Sequence, residues 1–416
     1  MSKSVAPGIE KLGEQHYRVW WQENRTGERR SRVVRDSLEE AKAYRSAMLD
    51  AQTRGEYVSP DKITLGAWLD TWLERREIMG GKRGEGRRST QERYVSLLGG
   101  TVRDRLGSIP LQGLTVDDLE GYYVWAVRHE VTKRGTLVSA ETIRKRHKTL
   151  KLALETATKK RLIPYSPADY ADTPSATAPT PPVFTRHDVD VILAALEGHW
   201  LALPVTVALH TGCRLGEVLG LVWPSVEFPD KAASGRGWLT VDGIISEAGG
   251  EVKREPWAKT KRSRRRIALD TELTGILRQH RKQQRDAPIV ALTAQALVCP
   301  GPLGTPRRPS RVTGWFTAVV RMLEDAGELS TEGATFHTLR HTHATWLRQQ
   351  GVPIEVISAR LGHSRTSTTQ DKYVHFGDHD ELAAEALDGM FPTYAEPTMH
   401  MECTSGALEG PQSVGL

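Results

Sequence analysis

The sequence predicts a multidomain, mainly α-helical protein with small β-sheets, as its length, its linker and the spacing of its apolar residues indicate. The chain has 416 residues, 38% of them hydrophobic, and a single domain commonly has roughly 100 to 200 residues. A stretch with four prolines at 171–182 predicts a flexible boundary. We expect a small β-sheet with one helix at 1–58, a helical domain at 59–170, the linker at 171–182, a mixed α+β domain at 183–393 and a disordered tail at 394–416.

The N-terminal part is predicted to form short strands followed by a helix. The runs HYRVWWQ at 16–22 and RRSRVVR at 29–35 are rich in strand-forming residues and flank a turn-like segment. Ser37 and Glu40 have the spacing of a helix-capping box. A unit of this size is close to the limit for independent folding.

Arginines along these strands give the small sheet a basic character. Arg30 and Arg32 alternate with smaller residues on the second run, and Arg18 lies on the first. A sheet face that carries these guanidinium groups could lie on DNA phosphates. An ordinary solvated strand face explains the same residues equally well.

Residues 59–170 carry the excess positive charge of the chain on a helical pattern. The whole chain has 57 basic and 51 acidic residues, and 21 of the basic and 14 of the acidic residues fall here. Apolar residues recur with helical spacing in four segments, at 65–73, 90–98, 115–129 and 140–160. On the last predicted helix, Arg144, Lys148 and Lys151 share a face that suits a DNA backbone, with an ordinary solvated face as the alternative.

Several classes of protein are disfavoured by what the sequence lacks. Three cysteines without a C-x-x-C pair support neither a disulfide framework nor a cysteine-rich zinc site. The glycine-containing stretch at 80–88 does not match G-x-x-x-x-G-K-[ST], so no nucleotide-binding loop is expected. Without an apolar signal segment or a run approaching 18 apolar residues, the chain is expected to be cytoplasmic, neither secreted nor membrane-spanning.

Four clusters after the linker combine charged and nucleophilic side chains. They are TGCRLGE at 211–217, WAKTKRSRRRIALD at 257–270, HTLRHTHATWL at 337–347 and LGHSRTSTTQDKYVH at 361–375. Their chemically active members are Arg214 and Glu217, then Lys259 and Lys261, then His337, Arg340 and His341, then His363 and Tyr373. Each cluster alone has an ordinary explanation, such as a surface ion pair or a solvated turn.

Spacing predicts the local structure of three clusters. Arg214 and Glu217 lie three residues apart and would pair on one helix face. The two lysines of the second cluster would occupy a turn that leads into a strand, from which a basic hairpin projects. His337, Arg340 and His341 would share one side of a helix. Two histidines at this spacing can bind zinc, but no glutamate follows the first histidine, and Arg340 on the same face would repel a cation.

Taken together, two arginines, a lysine, two histidines and a tyrosine suit phosphoryl transfer. Two guanidinium groups can grip the non-bridging oxygens of a phosphodiester and stabilise a pentavalent transition state, which removes the need for a metal ion. A tyrosine hydroxyl, with a pKa near ~10, needs a base, and imidazole titrates in the useful range. The departing 5′-oxygen needs a proton, which a lysine can supply. We therefore expect no metal and no other cofactor.

In this order, the four clusters resemble the tyrosine recombinase (phage integrase) family over roughly residues 183–390. The resemblance implies that six side chains surround a scissile phosphate, namely Arg214, Lys259, His337, Arg340, His363 and Tyr373. Tyr373 would be the nucleophile and Glu217 a supporting residue. Both Lys259 and Lys261 precede the predicted strand, and the Lys-Thr pair favours Lys259. The resemblance also implies an arm-type DNA-binding domain at 1–58, a core-binding domain at 59–170 that completes a C-shaped clamp around DNA, and a catalytic domain at 183–393.

The implied activity is site-specific recombination by an integrase of a phage or mobile element, through a covalent 3′-phosphotyrosyl intermediate. The implied partners are double-stranded DNA attachment sites, a homotetramer on DNA, and accessory DNA-bending or directionality factors, with no membrane. The apolar face at 381–391 would dock on a neighbouring protomer or in cis. A type IB topoisomerase and a non-catalytic DNA-binding regulator are the alternatives. Relaxation of DNA without a recombination site would favour the first, and absence of a covalent DNA adduct the second.

Overall fold

The computed structural model divides into two compact units, Met1–Ala178 and Pro179–Leu416. The boundary lies inside the predicted linker. The residues that the structure describes are 3–24, 27–54, 57–59, 62–79, 88–133, 135–175, 180–229, 236–256, 264–286, 295–362 and 377–391. The predicted disordered tail at 394–416 lies outside them.

The first unit begins with a four-stranded antiparallel sheet, in the order β1-β2-β3-β4, against which one helix packs. Its elements are β1 (Lys3–Ala6), β2 (Ile9–Gly13), β3 (His16–Gln22), β4 (Arg29–Arg35) and α1 (Leu38–Thr53). The strands β3 and β4 have the predicted bounds, whereas β1 lies before residues 9–35, over which short strands are predicted. The hydroxyl of Ser37 caps α1 by accepting the backbone N–H of Glu40 at 3.1 Å. A small apolar core, which includes Val19 and Trp21, lies between sheet and helix.

In the described residues that follow, the first unit contains five α-helices with a separate apolar core. They are α2 (Leu65–Met79), α3 (Arg88–Leu98), α4 (Thr101–Leu106), α5 (Val116–His129) and α6 (Ala140–Lys159). The predicted apolar stripe of α2 is buried, and its Trp68 indole donates to the backbone oxygen of Ala153 on α6 at 3.1 Å. Two separate cores in this unit are compatible with a boundary near residue 58, and that boundary stays a prediction.

The second unit is mixed α+β. Its helices are α7 (Arg186–Ala195), α8 (Ala202–Thr211), α9 (Leu215–Leu219), α10 (Thr271–Asp286), α11 (Pro309–Asp325), α12 (Phe336–Gln349), α13 (Ile354–Leu361) and α14 (Gly377–Leu387). Its strands are β5 (Val226–Glu227), β6 (Trp238–Val241), β7 (Gly243–Ala248), β8 (Glu251–Pro256) and β9 (Arg265–Ala268). The sheets have the orders β5-β6-β9 and β7-β8.

One local prediction for this unit was wrong. Arg214 does not share a helix with Glu217, because Gly212 adopts a left-handed conformation with φ of 65° and ends α8, and Arg214 lies just before α9. The basic hairpin expected around Lys259 and Lys261 lies outside the described residues. Of the strands that flank this segment, β8 pairs with β7 and β9 pairs with β6. The predicted fold class, mainly helical with small sheets, is confirmed. None of the helices in the described ranges is long and apolar enough to cross a membrane.

Candidate active site

Arg214 and Glu217 form the predicted pair, but with a different geometry. Arg214 precedes α9 in an extended conformation, with φ of −70° and ψ of 153°. Its backbone N–H donates to Oε2 of Glu217 at 2.9 Å, and its Nη1 donates to Oε1 at 3.1 Å. The Glu217 side chain is 1% exposed and the Arg214 side chain 44% exposed. A buried carboxylate therefore holds a guanidinium group that reaches solvent.

Arg340 lies in the interior, on α12. Its Nη1 donates to the backbone oxygen of Gly212 at 2.7 Å, and its Nη2 donates to that of Leu361 at 2.7 Å. Burial, and next the charge of neighbouring Arg214, lower the pKa of Arg340 to about 10. The group is still protonated at neutral pH. Each terminal nitrogen carries a second N–H, which it can donate to an anion.

Arg265, at the start of β9, joins this site and was not singled out from the sequence. Its Nη1 and Nη2 donate to the two carboxylate oxygens of Glu217 at 3.2 and 2.8 Å. Its Nε donates to the backbone oxygen of Arg360 at 2.6 Å. Burial alone would raise the pKa of Glu217, but the hydrogen bonds and charge of Arg265, followed by those of Arg214, lower it below its usual value. Glu217 is therefore ionised inside the protein.

Two of the three histidines of the third cluster, His337 and His341, lie on α12 as predicted. His337 is exposed in the first turn, and its ring lies edge-on to that of His341, with 4.7 Å between centroids. Burial, and then the charge of Arg340, lower the pKa of His341. The imidazole of His341 is therefore favoured in its neutral form.

The remaining predicted site residues lie outside the described part of the chain. They are Lys259, Lys261, His363 and Tyr373. Lys259 and Lys261 fall between the end of β8 and the start of β9, and His363 and Tyr373 fall between α13 and α14. Of the six side chains assigned to the site, the structure brings together Arg214 and Arg340, and it places His337 on the same helix as Arg340.

A buried ion pair fixes α14 on the second unit. The Arg360 side chain is fully buried, and its Nη1 donates to Oδ2 of Asp380 at 2.6 Å. The same oxygen accepts the backbone N–H of Ala268 on β9 at 2.6 Å. In the predicted apolar face at 381–391, Leu387 and Met390 are buried in this unit, whereas Leu382 is 47% exposed. The described residues of this chain thus show docking in cis.

Removing the carboxylate of Asp380 should destabilise the protein strongly. The change Asp380→Ala leaves a buried guanidinium group without its counter-charge, which typically costs about 3–5 kcal/mol. Denaturant unfolding would measure this loss. The matched control on the same helix is Glu385→Ala, which removes an exposed partner of Arg236 and should cost at most about 1 kcal/mol. Equal losses in the two variants would contradict the importance of the buried pair.

One group of carboxylates is close enough to consider as a metal site. Oxygens of Asp270, Glu272 and Asp388 lie within 4.8 Å of one another. Asp270 binds Nδ1 of His210 at 2.8 Å, and Glu272 accepts the backbone N–H of Gly389 at 2.7 Å. These bonds explain the group as anchors around the start of α10, so it supports no metal proposal.

The register of the N-terminal sheet corrects the predicted basic face. Arg30 and Arg32 lie opposite Trp21 and Val19, so they are on the face that α1 covers. Arg30 pairs with Glu23 and Glu28, and the guanidinium carbon of Arg32 lies 5.3 Å from the centre of the Tyr44 ring. Arg18 lies opposite Val33, on the other face. Because side chains alternate along a strand, the three arginines cannot share one face.

The open face of the sheet carries its own arginines. The strand pairing places Arg18, Arg29 and Arg35 on this same face, and all three are exposed. The guanidinium carbon of Arg29 lies 3.9 Å from the centre of the Trp20 ring on this face. This open face is therefore the basic face of the sheet.

The basic stripe of α6 is partly engaged by protein groups. Lys148 is exposed and Arg144 half-buried, whereas Lys151 pairs with Asp169 at 2.9 Å. Near the end of the same helix, a concave surface of about 600 Å³ is lined by Arg75, Lys159, Lys160 and Arg161, with Trp68 among its apolar residues. Such a concentration of positive charge suits a phosphate backbone.

Comparison with known proteins relates most of the chain to phage integrases and tyrosine recombinases. The phage integrase family model matches residues 182–379. A XerC-like tyrosine recombinase of Caldanaerobacter subterraneus subsp. tengcongensis is 27% identical over 407 residues, which cover 92% of this chain and 98% of the relative.

Solved structures of integrases share the fold. The Tn1549 transposon integrase, in complex with a circular intermediate DNA, matches with a TM-score of 0.59 and 20% identity, over 78% of this chain and 99% of the integrase chain. A lambda integrase tetramer bound to a Holliday junction matches with a TM-score of 0.51 and 18% identity, over 88% and 98% of the two chains. Residues 182–379 belong to the phage integrase family, and the chain is a tyrosine-type site-specific DNA recombinase.

Proposed function

We propose that the chain recombines the DNA of a phage or another mobile element through a 3′-phosphotyrosyl intermediate. The hydroxyl oxygen of Tyr373 attacks the scissile phosphorus, and the bond from phosphorus to the 5′-oxygen breaks. The freed 5′-hydroxyl then attacks the corresponding phosphotyrosine of the partner duplex. One phosphodiester is exchanged for another through a phosphotyrosyl ester, so no nucleotide hydrolysis is needed.

The observation that carries this proposal is the convergence of two arginines on one site. Arg340 donates to the backbone oxygen of Gly212, two residues before Arg214, and the charge of Arg214 contributes to the lowered pKa of Arg340. Such a cation-rich site is unfavourable without an anion and becomes favourable when a phosphate binds. Guanidinium groups can donate to both non-bridging oxygens and stabilise the negative charge of the transition state.

The proton transfers are assigned to the remaining members of the site. An imidazole, from His337 or His363, takes the proton of the tyrosine hydroxyl, because histidine is the side chain that most often serves as a general base. Lys259, or Lys261, protonates the departing 5′-oxygen. The exposure of His337 beside Arg340 on α12 is compatible with such a role.

Strand exchange requires two duplexes with two protomers on each, so we propose a homotetramer on DNA. The lambda integrase tetramer on a Holliday junction, which shares this fold, supports the proposal. In the described residues, α14 packs on its own chain. We assign this arrangement to the chain before it joins the tetramer. The working compartment is the one that holds the attachment DNA, which is the cytoplasm in a bacterial host.

The decisive test is to map a covalent adduct on candidate attachment DNA. A duplex with a nick beside the cleavage position loses a short strand after attack and therefore traps the adduct. We expect a peptide containing Tyr373 joined to a 3′-phosphate at one position on each strand. Attachment through a 5′-phosphate, or through another residue, would refute the mechanism, and sequence-independent relaxation would indicate topoisomerase activity instead.

We also propose that the open face of the N-terminal sheet binds flanking arm-type DNA. Arg29→Ala should weaken binding to flanking DNA about tenfold and reduce the salt dependence of binding, since one phosphate contact is lost. Cleavage of core-site DNA should be unchanged. Arg32→Ala is the matched control, because Arg32 is exposed on the same strand but lies on the α1 side. Gel-shift titrations at several salt concentrations would measure both, and a larger loss for Arg32→Ala would contradict the assigned face.

A further inference from the structure

The carboxylate of Glu217 has two guanidinium partners. Its Oε1 accepts from Nη1 of Arg214 and Nη1 of Arg265, and its Oε2 accepts from the backbone N–H of Arg214 and Nη2 of Arg265. The two side chains differ in exposure, since Arg265 is 9% exposed and Arg214 is 44% exposed. The inner arginine is therefore committed to the carboxylate, whereas the outer one donates through a single terminal nitrogen.

The positive charge of Arg265 affects how Arg214 and Arg340 interact with an anion. The negative charge of Glu217 is balanced by Arg265, which makes the bidentate contact. The positive charges of Arg214 and Arg340 are then left for an external anion. Without Arg265, the buried carboxylate would draw Arg214 into a closer pair, because opposite charges attract strongly away from water. A phosphate would have to compete with that pair.

The same guanidinium group fixes a second part of the site. Its Nε donates to the backbone oxygen of Arg360, and the neighbouring backbone oxygen, of Leu361, accepts from Arg340. These carbonyl groups end α13. Gly362 follows with φ of 66°, and a Cβ atom there would lie 3.0 Å from Nη1 of Arg265. Arg265 thus joins three separate parts of the sequence, near residues 217, 265 and 360.

We propose that Arg265 is a positioning residue for recombination, which neutralises Glu217 so that the Arg214 guanidinium is left for the scissile phosphate. This inference rests on the proposed role of Arg214 at that phosphate. Arg265 does not touch the DNA in this proposal; it acts through Glu217 and through the end of α13. A purely structural role would instead slow every reaction of the enzyme alike.

The test compares two substrates that differ in charge at the scissile position. One is a nicked attachment duplex with an ordinary phosphodiester, and the other carries a methylphosphonate, in which a methyl group replaces one non-bridging oxygen and removes its negative charge. Release of the 5′-hydroxyl strand is measured in single turnovers, beside DNA affinity. Arg265→Met should slow cleavage of the phosphodiester roughly a hundredfold, which is at the lower end of the loss of one oxyanion donor. On the methylphosphonate, the variant should come within about fivefold of the parent, because less charge has to be stabilised.

Two further variants keep the test decisive if Arg265→Met folds poorly. Arg265→Lys retains the positive charge and should recover part of the rate. Adding Glu217→Gln to Arg265→Met removes the carboxylate that would draw Arg214 away, and it should make the double variant faster than Arg265→Met alone. The matched control is Arg266→Met, since the neighbouring arginine is exposed and pairs with Glu227; its rate should equal that of the parent.

The outcomes separate this inference from the proposed function. An Arg265→Met rate equal to the parent, or an equal slowing on both substrates, would overturn the positioning role. A slower double variant would contradict the charge argument. If the parent itself forms no adduct on attachment DNA, the proposed function fails, whatever the variants do.

Discussion

Replacing Tyr373 with phenylalanine should abolish covalent protein–DNA adducts and leave DNA affinity within about twofold of the parent. The hydroxyl oxygen is the proposed nucleophile, and the ring alone cannot form an ester with phosphorus. Most of the affinity for DNA comes from cationic contacts with phosphates, which this substitution does not alter. Denaturing gels after incubation with nicked attachment DNA would measure the adduct, and gel shifts would measure affinity.

The control for this prediction is a tyrosine that the proposal leaves without a role. Tyr170 is 69% exposed in the first unit, and Tyr170→Phe should form adducts at the parent rate. An adduct that survives in Tyr373→Phe would move the nucleophile to another residue. Loss of DNA binding in the same variant would show that the substitution disturbs more than the chemistry.

Local patterns predicted the elements whose structure depends on neighbouring residues. The strands β3 and β4 have the predicted bounds because both runs contain strand-forming residues and a turn-like segment separates them. The helix α12 contains His337, Arg340 and His341, as their spacing indicated. In each case the determining residues lie within one element, so no long-range contact was needed.

The helix break before Arg214 occurs at Gly212, and distant residues leave no room for a larger side chain there. At Gly212, a Cβ atom would lie 2.5 Å from Cδ2 of Leu361 and 2.6 Å from Cδ2 of His343. Both neighbours are more than a hundred positions away in the sequence, so the three-residue spacing of Arg214 and Glu217 could not reveal these contacts. Without it, Arg214 would not occupy the capping position that aims its backbone N–H at Glu217.

Arg265 left a partial signal in the sequence. It lies two positions before Ile267, which is fully buried, so the alternation of β9 puts an arginine on the inner face. An inward charged residue needs a partner, because burial of an unpaired charge is costly. The partner, Glu217, is 48 positions away, and no spacing rule identifies it. The inward arginine was therefore predictable, whereas its pair was not.

The faces of the N-terminal sheet show how register limits prediction. Sequence alone placed Arg18, Arg30 and Arg32 near one another on paired strands. Their faces depend on which residues lie opposite, and Arg18 pairs with Val33 whereas Arg32 pairs with Val19. A shift of one residue in register would exchange the faces. The strands were predictable, but the DNA-facing side required the structure.

Lys259→Ala should cleave an ordinary phosphodiester about 10²–10⁴-fold more slowly than the parent, because the variant lacks the proposed general acid. An alkoxide is a poor leaving group and needs a proton as the bond to phosphorus breaks. A thiolate leaves readily without one, because thiols have pKa values near ~8.5. A substrate with sulfur at the bridging 5′ position should therefore restore the rate of Lys259→Ala to near that of the parent.

Two further variants decide which side chain supplies the proton. Lys261→Ala should resemble the parent on both substrates, apart from weaker, salt-dependent DNA binding if its charge only meets a phosphate. Arg214→Ala should be slow on both, because its guanidinium stabilises non-bridging oxygens, which bridging sulfur does not change. Rescue of Lys261→Ala instead would move the acid two residues along the segment between β8 and β9. Rescue of neither lysine variant would mean that the leaving oxygen takes its proton from another group, and the exposed His337 on α12 would then be the next side chain to substitute.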